Sequence, residues 1–295
     1  MTPMSNSLKD FVVSQCPNRV FYIPDFISEV KEQELLRHIY SAPKPKWVHL
    51  SNRRLQNWGG IPHAKGMIQD AIPTWLQKCI DDVTVQLADV LPADTKPNHV
   101  LINEYEASQG IMPHVDGPLY YPVIATISLE SPVLLDLYSS SASSSSSLTT
   151  CAESKNGVEV DSTSKHSSIS NSKTDLKYDP ATNSVPEYDP MTSSEVKSES
   201  EVMVSSGDSV KLDRIGSVYL QPRSLYVATE NVYTEYLHGI REEINFDLKS
   251  EKILNVDVLE KAEKFDYLDM LERSKRVSIT IRHVPKVLKN KLFIR

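Results

Sequence analysis

The spacing of apolar positions changes along this chain, and each change marks an element. Val20-Phe21-Tyr22-Ile23 is a short apolar run stopped by Pro24, which predicts a strand. Ser28 stands in N-cap position ahead of Leu35, Leu36, Ile39 and Tyr40, which share one face at helical spacing. Trp75, Leu76, Cys79, Ile80, Val83 and Leu87 recur in the same way and predict a second helix over 73–90, with Cys79 in its core stripe. Downstream, strand-like runs take over: His99 to Tyr105, Val123 to Leu129, Val133 to Leu137, Ser217 to Leu220, Ser224 to Ala228 and Arg276 to Arg282. Gln221-Pro222-Arg223 reads as the turn between two of them. Helices followed by many short strands predict helices packed on a double-sheet β core, and no internal repeat interrupts that reading.

Two stretches break the pattern. Residues 139–210 contain a serine run at Ser143 to Ser147 and almost no apolar periodicity, so they lack the apolar surface to offset the entropy of ordering. This predicts a disordered, Ser-rich acidic insertion between two parts of one domain, 1–138 and 211–295. A long insert at a hairpin tip is tolerated because closure entropy grows only logarithmically with loop length. A shorter polar insert is expected within 241–272, helical around Val258 to Leu271.

Charge follows the same division. The net charge is −7, and residues 139–210 carry eleven acids against five lysines; from Arg273 onward there are eight Lys/Arg and no acid. A basic end suits a polyanionic partner, or it is simply a solvated face. Cys16, Cys79 and Cys151 form no CxxC pair, which argues against a zinc finger and for a reducing compartment. No apolar run is long enough to span a membrane, and Met1 to Asp10 does not read as a secretory leader.

Four local patterns carry chemistry. In His114-Val115-Asp116 the outer residues point the same way on extended backbone, so an imidazole and a carboxylate can reach one metal. Two histidines and one carboxylate on one face suit Fe(II) and leave positions open for cosubstrate and oxygen. HxD alone also arises by chance, as a surface histidine near a turn. A second histidine must come from a later strand. His166 lies in the insert, His283 follows a strand of its own, and His238 has the small Gly239 beside it allowing close approach, or is simply a histidine satisfied at a strand end. Arg276-Val-Ser-Ile-Thr-Ile-Arg282 alternates strictly. With Val277, Ile279 and Ile281 against the helices, Arg276, Ser278, Thr280 and Arg282 face the barrel interior, where buried arginines need anions such as a dicarboxylate. Alternatively this is an edge strand with a solvated basic face. Asn103 and Tyr105 share one face of the strand before the HxD and can reach a carboxylate, or they are half-buried scaffold.

In this order the four patterns resemble the AlkB-like family of Fe(II)/2-oxoglutarate-dependent dioxygenases: an NxY strand, HxD, a distal His, then R-x-[NS]-x-T-x-R. Leu55-Gln-Asn-Trp-Gly-Gly60 and the stretch from Pro113 to Pro122 are similar to the AlkB homologue 6 subfamily in particular. The resemblance implies an α+β fold with a double-stranded β-helix core (jelly-roll, cupin-like) and N-terminal helices packed on one sheet. By it His114, Asp116 and His238 hold Fe(II). Asn103, Tyr105, Arg276 and Ser278 hold 2-oxoglutarate, and Arg282 sits near the metal-side carboxylate or Asp116; O2 is the other cosubstrate. Ser278 stands where some relatives have Asn. The implied activity is oxidative demethylation of alkylated DNA or RNA by a monomer in cytoplasm and nucleus, with no membrane partner. A protein substrate, or a catalytically weak nucleic-acid-binding module on the same fold, are the alternatives. A base that leaves its stack needs an aromatic wall, for which Trp58, Tyr120 and Tyr121 are candidates. Arg53, Arg54 and the tail residues Lys286, Lys289, Lys291 and Arg295 are candidates for phosphate contacts.

Overall fold

The computed structural model describes residues 7–16, 19–140, 212–264 and 270–288. In chain order the strands are β1 (Val20–Ile23), β2 (Val48–His49), β3 (Arg54–Trp58), β4 (Gly60–Ile61), β5 (Met67–Gln69), β6 (His99–Tyr105), β7 (Ile111–His114) and β8 (Val123–Glu130). They continue as β9 (Val133–Ser140), β10 (Leu212–Leu220), β11 (Leu225–Thr229), β12 (Tyr236–Ile240), β13 (Asn245–Asp247), β14 (Met270–Glu272), β15 (Arg276–Arg282) and β16 (Val287–Leu288). Four α-helices accompany them: α1 (Glu29–Tyr40), α2 (Thr74–Gln86), α3 (Glu230–Glu235) and α4 (Val256–Lys261).

Two antiparallel sheets form the core. The larger runs β1-β11-β8-β15-β6-β3-β2 and the smaller β10-β9-β12-β7. The chain passes from the large sheet to the small one at a corner after β8, where Glu130 takes φ 65°, and returns between β10 and β11, where Arg223 takes φ 66°. Both corners are tied to α1 by the buried Glu32, which accepts from Glu130 N at 2.8 Å and from Arg223 Nη1 at 3.2 Å. This is the expected double-sheet arrangement with helices on one sheet.

Helix α1 begins where Ser28 Oγ accepts from Lys31 N at 3.2 Å, a cap that satisfies one of the otherwise unpaired first-turn donors. The apolar stripes of both helices bury against the outward residues of the large sheet: Leu35, Ile39, Leu76, Cys79, Ile80 and Val83 meet Ile102, Ile127, Val277, Ile279 and Ile281. That burial decides which way β15 faces, because residues alternating with Val277, Ile279 and Ile281 must point to the other side. Helix α2 ends at Gln86 rather than near Val90; the following residues turn ahead of Pro92.

Two expectations change. Strand β9 continues through Ser139 and Ser140, which were assigned to the insertion, because they pair with Asp213 and Leu212 of β10. The break therefore falls at the far end of the β9–β10 hairpin, and the rest of the expected insertion, 141–210, lies outside the described residues. The stretch 241–272 is not a polar insert with a helix over 258–271. Its helix is α4, Val256–Lys261, and Met270–Glu272 is strand β14. Phe246, Ile253, Leu254, Val258, Leu259 and Leu271 are buried in a second core with Leu134, Val218 and Leu220 of the small sheet. Their spacing follows neither helical nor strand period, so periodicity registered the polar residues and missed the burial. The same stretch hydrogen-bonds the outer edge of β10, through Ser217 N to Lys252 O and the Asn255 side chain to the Tyr219 backbone, covering an otherwise open strand.

Candidate active site

One cavity lies between the sheets. It is lined by Asn103, Tyr105, His114, Asp116, His238, Arg276, Ser278 and Arg282, together with residues the sequence reading did not single out. The large sheet supplies one wall by register: Arg276 pairs with Tyr105 and Ser278 with Asn103, so NxY and the arginine strand sit side by side.

The small sheet supplies the histidines. His238 on β12 is directly opposite His114 on β7, and their ring centroids are 4.4 Å apart. One candidate ligand atom each from His114, Asp116 and His238 lies within 4.8 Å of the others. The close approach of β12 to β7 requires glycine: a Cβ on Gly239 would stand 3.0 Å from Ile111 O, and one on Gly110 would stand 2.2 Å from Ile240 O.

Tautomers and charges at this end suit a metal. His114 Nδ1 lies 2.8 Å from the Met112 carbonyl, which can only accept, so Nδ1 carries the proton and Nε2 keeps its lone pair. Burial, reinforced by His114, pushes the His238 pKa down to about 4, keeping that imidazole neutral. For Asp116 burial acts upward, but the Arg282 guanidinium and then the neighbouring imidazoles outweigh it, and the carboxyl sits below its ordinary range. Arg282 Nη2 donates to Asp116 Oδ1 at 2.6 Å while its guanidinium lies over the Tyr120 ring at 4.6 Å. Of the two places expected for Arg282, the structure places it on Asp116.

The other end of the cavity is built differently. Arg276 is buried, donates to Ser128 Oγ at 3.1 Å, and has no partner for Nε. Tyr105 lies under its guanidinium at 5.9 Å. Burial pushes its pKa down to about 10, the sign of a cation lacking a counter-charge. The buried amide oxygen of Asn103 is also unpartnered. A dicarboxylate reaching from the histidines to Arg276 would fill this deficit, and the neutral-imidazole and carboxylate donor set suits Fe(II).

The expected substrate contacts fare unevenly. Arg53 and Tyr120 line the cavity. Arg54 does not: its Nε and Nη2 donate to the two carboxylate oxygens of Glu104, at 2.5 and 2.9 Å, and the group lies over Trp47 at 4.2 Å. Trp58 joins the helix–sheet core, edge-on to Trp75 at 6.3 Å with Nε1 donating to Gln56. Tyr121 packs against the same core and faces His283. These three lie away from the cavity because β3 alternation and the turn after Tyr120 turn them toward the helices. His283 is separately occupied, donating to Lys96 O at 2.6 Å, and Lys286 donates to Ala64 O at 3.0 Å. Lys289, Lys291 and Arg295 lie outside the described residues.

Besides Tyr105, the aromatic lining comes from Tyr120, Tyr226 and Tyr233. Tyr226 was legible, since Leu225 and Val227 face the helices and Tyr226 and Ala228 must then face inward. Tyr233, on the short α3 between β11 and β12, had no periodic signal. Its hydroxyl donates to the Gly117 carbonyl, holding the segment just after Asp116. His99 was also missed. It is buried with both ring nitrogens unpartnered, opposite Arg282 on β6, and burial with the Arg282 charge pushes its pKa down to about 3.

Residues 37–282 match the 2OG-Fe(II) oxygenase superfamily. The chain is 36% identical over 287 residues to the Probable RNA/DNA demethylase ALKBH6 of Danio rerio, a match covering 97% of this chain and 94% of that one. It is 24% identical over 144 residues to the Alkylated DNA repair protein ALKBH8 homolog of Arabidopsis thaliana, covering 45% of this chain and 40% of the other. Among solved structures, OsALKBH1 aligns with a TM-score of 0.42 at 10% identity, over 89% of this chain and 96% of that one.

Proposed function

Because this chain belongs to the 2OG-Fe(II) oxygenase superfamily, we propose that it is a dioxygenase that removes alkyl groups oxidatively from DNA or RNA. The observation that carries this reading is one cavity holding His114, Asp116 and His238 together with an uncompensated Arg276. His114, Asp116 and His238 would hold Fe(II), and Arg276, Ser278, Asn103 and Tyr105 would hold 2-oxoglutarate. When bound, iron and 2-oxoglutarate together supply the means to activate O2 and oxidise a C–H bond, yielding succinate and carbon dioxide.

The chain's own residues set the stage for that chemistry. Met112 O fixes the tautomer of His114, and Arg282 keeps Asp116 ionised and aimed. Tyr233 holds the segment after Asp116 through Gly117. Arg276 would anchor the far carboxylate, so that the reacting end is oriented rather than free to turn. Leu135, Leu137 and Ile124 keep the cavity wall apolar. Tyr120, Tyr226 and Tyr233 offer faces for an unstacked base. Hydroxylation of an N-methyl carbon leaves a product that collapses to formaldehyde and the bare nitrogen.

The named activity of the 36% identical relative supports the nucleic-acid substrate, and the basic chain from Arg273 onward is consistent with it. We further place the protein in cytoplasm and nucleus, as a monomer with a single catalytic domain whose first part runs through Ser140 at the end of β9 and whose second part resumes by Leu212 at the start of β10. Among the described residues no helix is long and apolar enough to cross a membrane. The test is incubation with Fe(II), 2-oxoglutarate and pools of methylated DNA, RNA and peptides, read by mass spectrometry against His114→Ala. Demethylated nucleic acid is expected; product from the peptide pool alone would overturn the substrate reading.

A further inference from the structure

Among the described residues three guanidinium groups are buried around or behind the cavity, and their surroundings differ. Arg282 faces a carboxylate, Asp116. Arg276 and Arg273, three residues apart, are each only 3% exposed and have no carboxylate partner among the described residues. Arg276 meets Ser128 Oγ. Arg273 donates through Nη1 to the carbonyls of Arg241 (2.6 Å) and Glu243 (2.9 Å) and through Nη2 to the carbonyl of Gln109 (2.6 Å). The Nε of each is buried without a partner. Carbonyl oxygens satisfy hydrogen bonds without cancelling charge, so two like charges remain buried near one another. After burial and the opposing influence of Tyr105, the Arg273 charge further depresses the Arg276 pKa, whereas Arg273 itself is lowered by burial and raised by Tyr105. Arg273 itself is not among the residues lining the cavity.

We infer that Arg273 is a specificity-determining residue that acts through Arg276: its buried charge makes this end of the cavity select a cosubstrate with a distal carboxylate over a 2-oxo acid that lacks one. The inference rests on the cosubstrate reading of the same site. A competing role is mechanical. Arg273 ties the segment before β7 to the segment after β12, the two strands that carry His114 and His238. The two roles differ in consequence. Loosening those strands weakens every 2-oxo acid that uses the metal, whereas loss of charge weakens only the acid with the second carboxylate.

The experiment is calorimetric titration of 2-oxoglutarate and of 2-oxobutanoate, which lacks the distal carboxylate, into the full chain loaded with Mn(II). Wild type, Arg273→Gln and Arg273→Lys are compared. Arg273→Gln is expected to weaken 2-oxoglutarate about tenfold and 2-oxobutanoate less than about twofold, while Arg273→Lys, which keeps the charge and loses the fork, keeps the preference between the two acids within about threefold of wild type. Equal weakening of both acids by Arg273→Gln, or collapse of the preference in Arg273→Lys, overturns the inference. The second readout stands even if Arg273→Gln fails to fold. Wild type that does not bind 2-oxoglutarate at all overturns the cosubstrate reading itself, and this inference with it.

Discussion

The two ends of the cavity solve the problem of buried charge in opposite ways. At the histidine end every strong charge has an internal answer: Asp116 faces Arg282, His114 Nδ1 faces the Met112 carbonyl, and His238 is kept neutral by burial. At the Arg276 end there is a buried cation with a hydroxyl and a ring for company. A compensated end is organised before anything binds. An uncompensated end is costly until an anion arrives, so it converts ligand binding into relief of desolvation. Location within one cavity therefore says less about a residue's role than whether its charge is already answered.

Substitutions can break that comparison. The largest effect is expected from His238→Ala, which removes a donor that nothing nearby replaces; metal affinity should fall by more than about a hundredfold, measured by Mn(II) titration, and succinate formation should cease. A retained affinity within tenfold would mean that the three side chains do not share one ion.

The sharpest contrast is between two arginines. Arg282→Met strands Asp116 as a buried, unpaired carboxylate and should destabilise the metal-free protein by about 3–5 kcal/mol, whereas Arg276→Met removes a buried charge that has no counter-ion and should be neutral or stabilising. Urea unfolding midpoints read both. Arg276→Met should also abolish 2-oxoglutarate binding. Stability changes of the same sign would remove the distinction drawn between the two ends.

Acid should erode the compensated end. The pKa of His99 falls from 6.5 to about 3 in the fold. The unfolded chain therefore takes up a proton first as pH drops. The contribution of His99 to stability is complete above 6.5 and is lost progressively down to about 3. Between pH 6.5 and 5 the loss attributable to this residue should be about 2 kcal/mol, seen as a flatter pH profile in His99→Leu. An unchanged profile would mean that the imidazole is protonated in the native state.

The smallest effect tests the rule outside the cavity. Arg54 is answered by Glu104 and Trp47, as Arg282 is by Asp116. Arg54→Gln should therefore change oligonucleotide affinity by less than about twofold and leave its salt dependence intact. A reduced salt slope would return Arg54 to the phosphate path.

Much of the site was legible because it lies on regular strands. Alternation in Arg276 to Arg282 separated the helix-packed residues from the cavity residues, and the structure follows that division. Asn103 and Tyr105 were placed on the cavity face in the same way. Where alternation stopped, so did legibility. Trp58 and Tyr121 were grouped with Tyr120 because all are aromatic, yet packing turned them toward Trp75 and His283. Tyr233 lies on a six-residue helix with no repeat to read. The stretch 241–272 is rich in charge along the chain, but Asp136 answers Arg214 and Arg241 from a strand far away in sequence, at 3.0 and 2.7 Å.

Period and residue type alone determined the longer core strands and the two long helices, the face each of them buries, and the types of ligand on offer, since these follow from backbone geometry within a few residues. Only the tertiary structure decided which charges are answered. An imidazole's tautomer, an arginine's counter-ion and a tyrosine's carbonyl partner depend on groups brought together from distant strands, and desolvation, which sets the energy of each, exists only once those strands have packed.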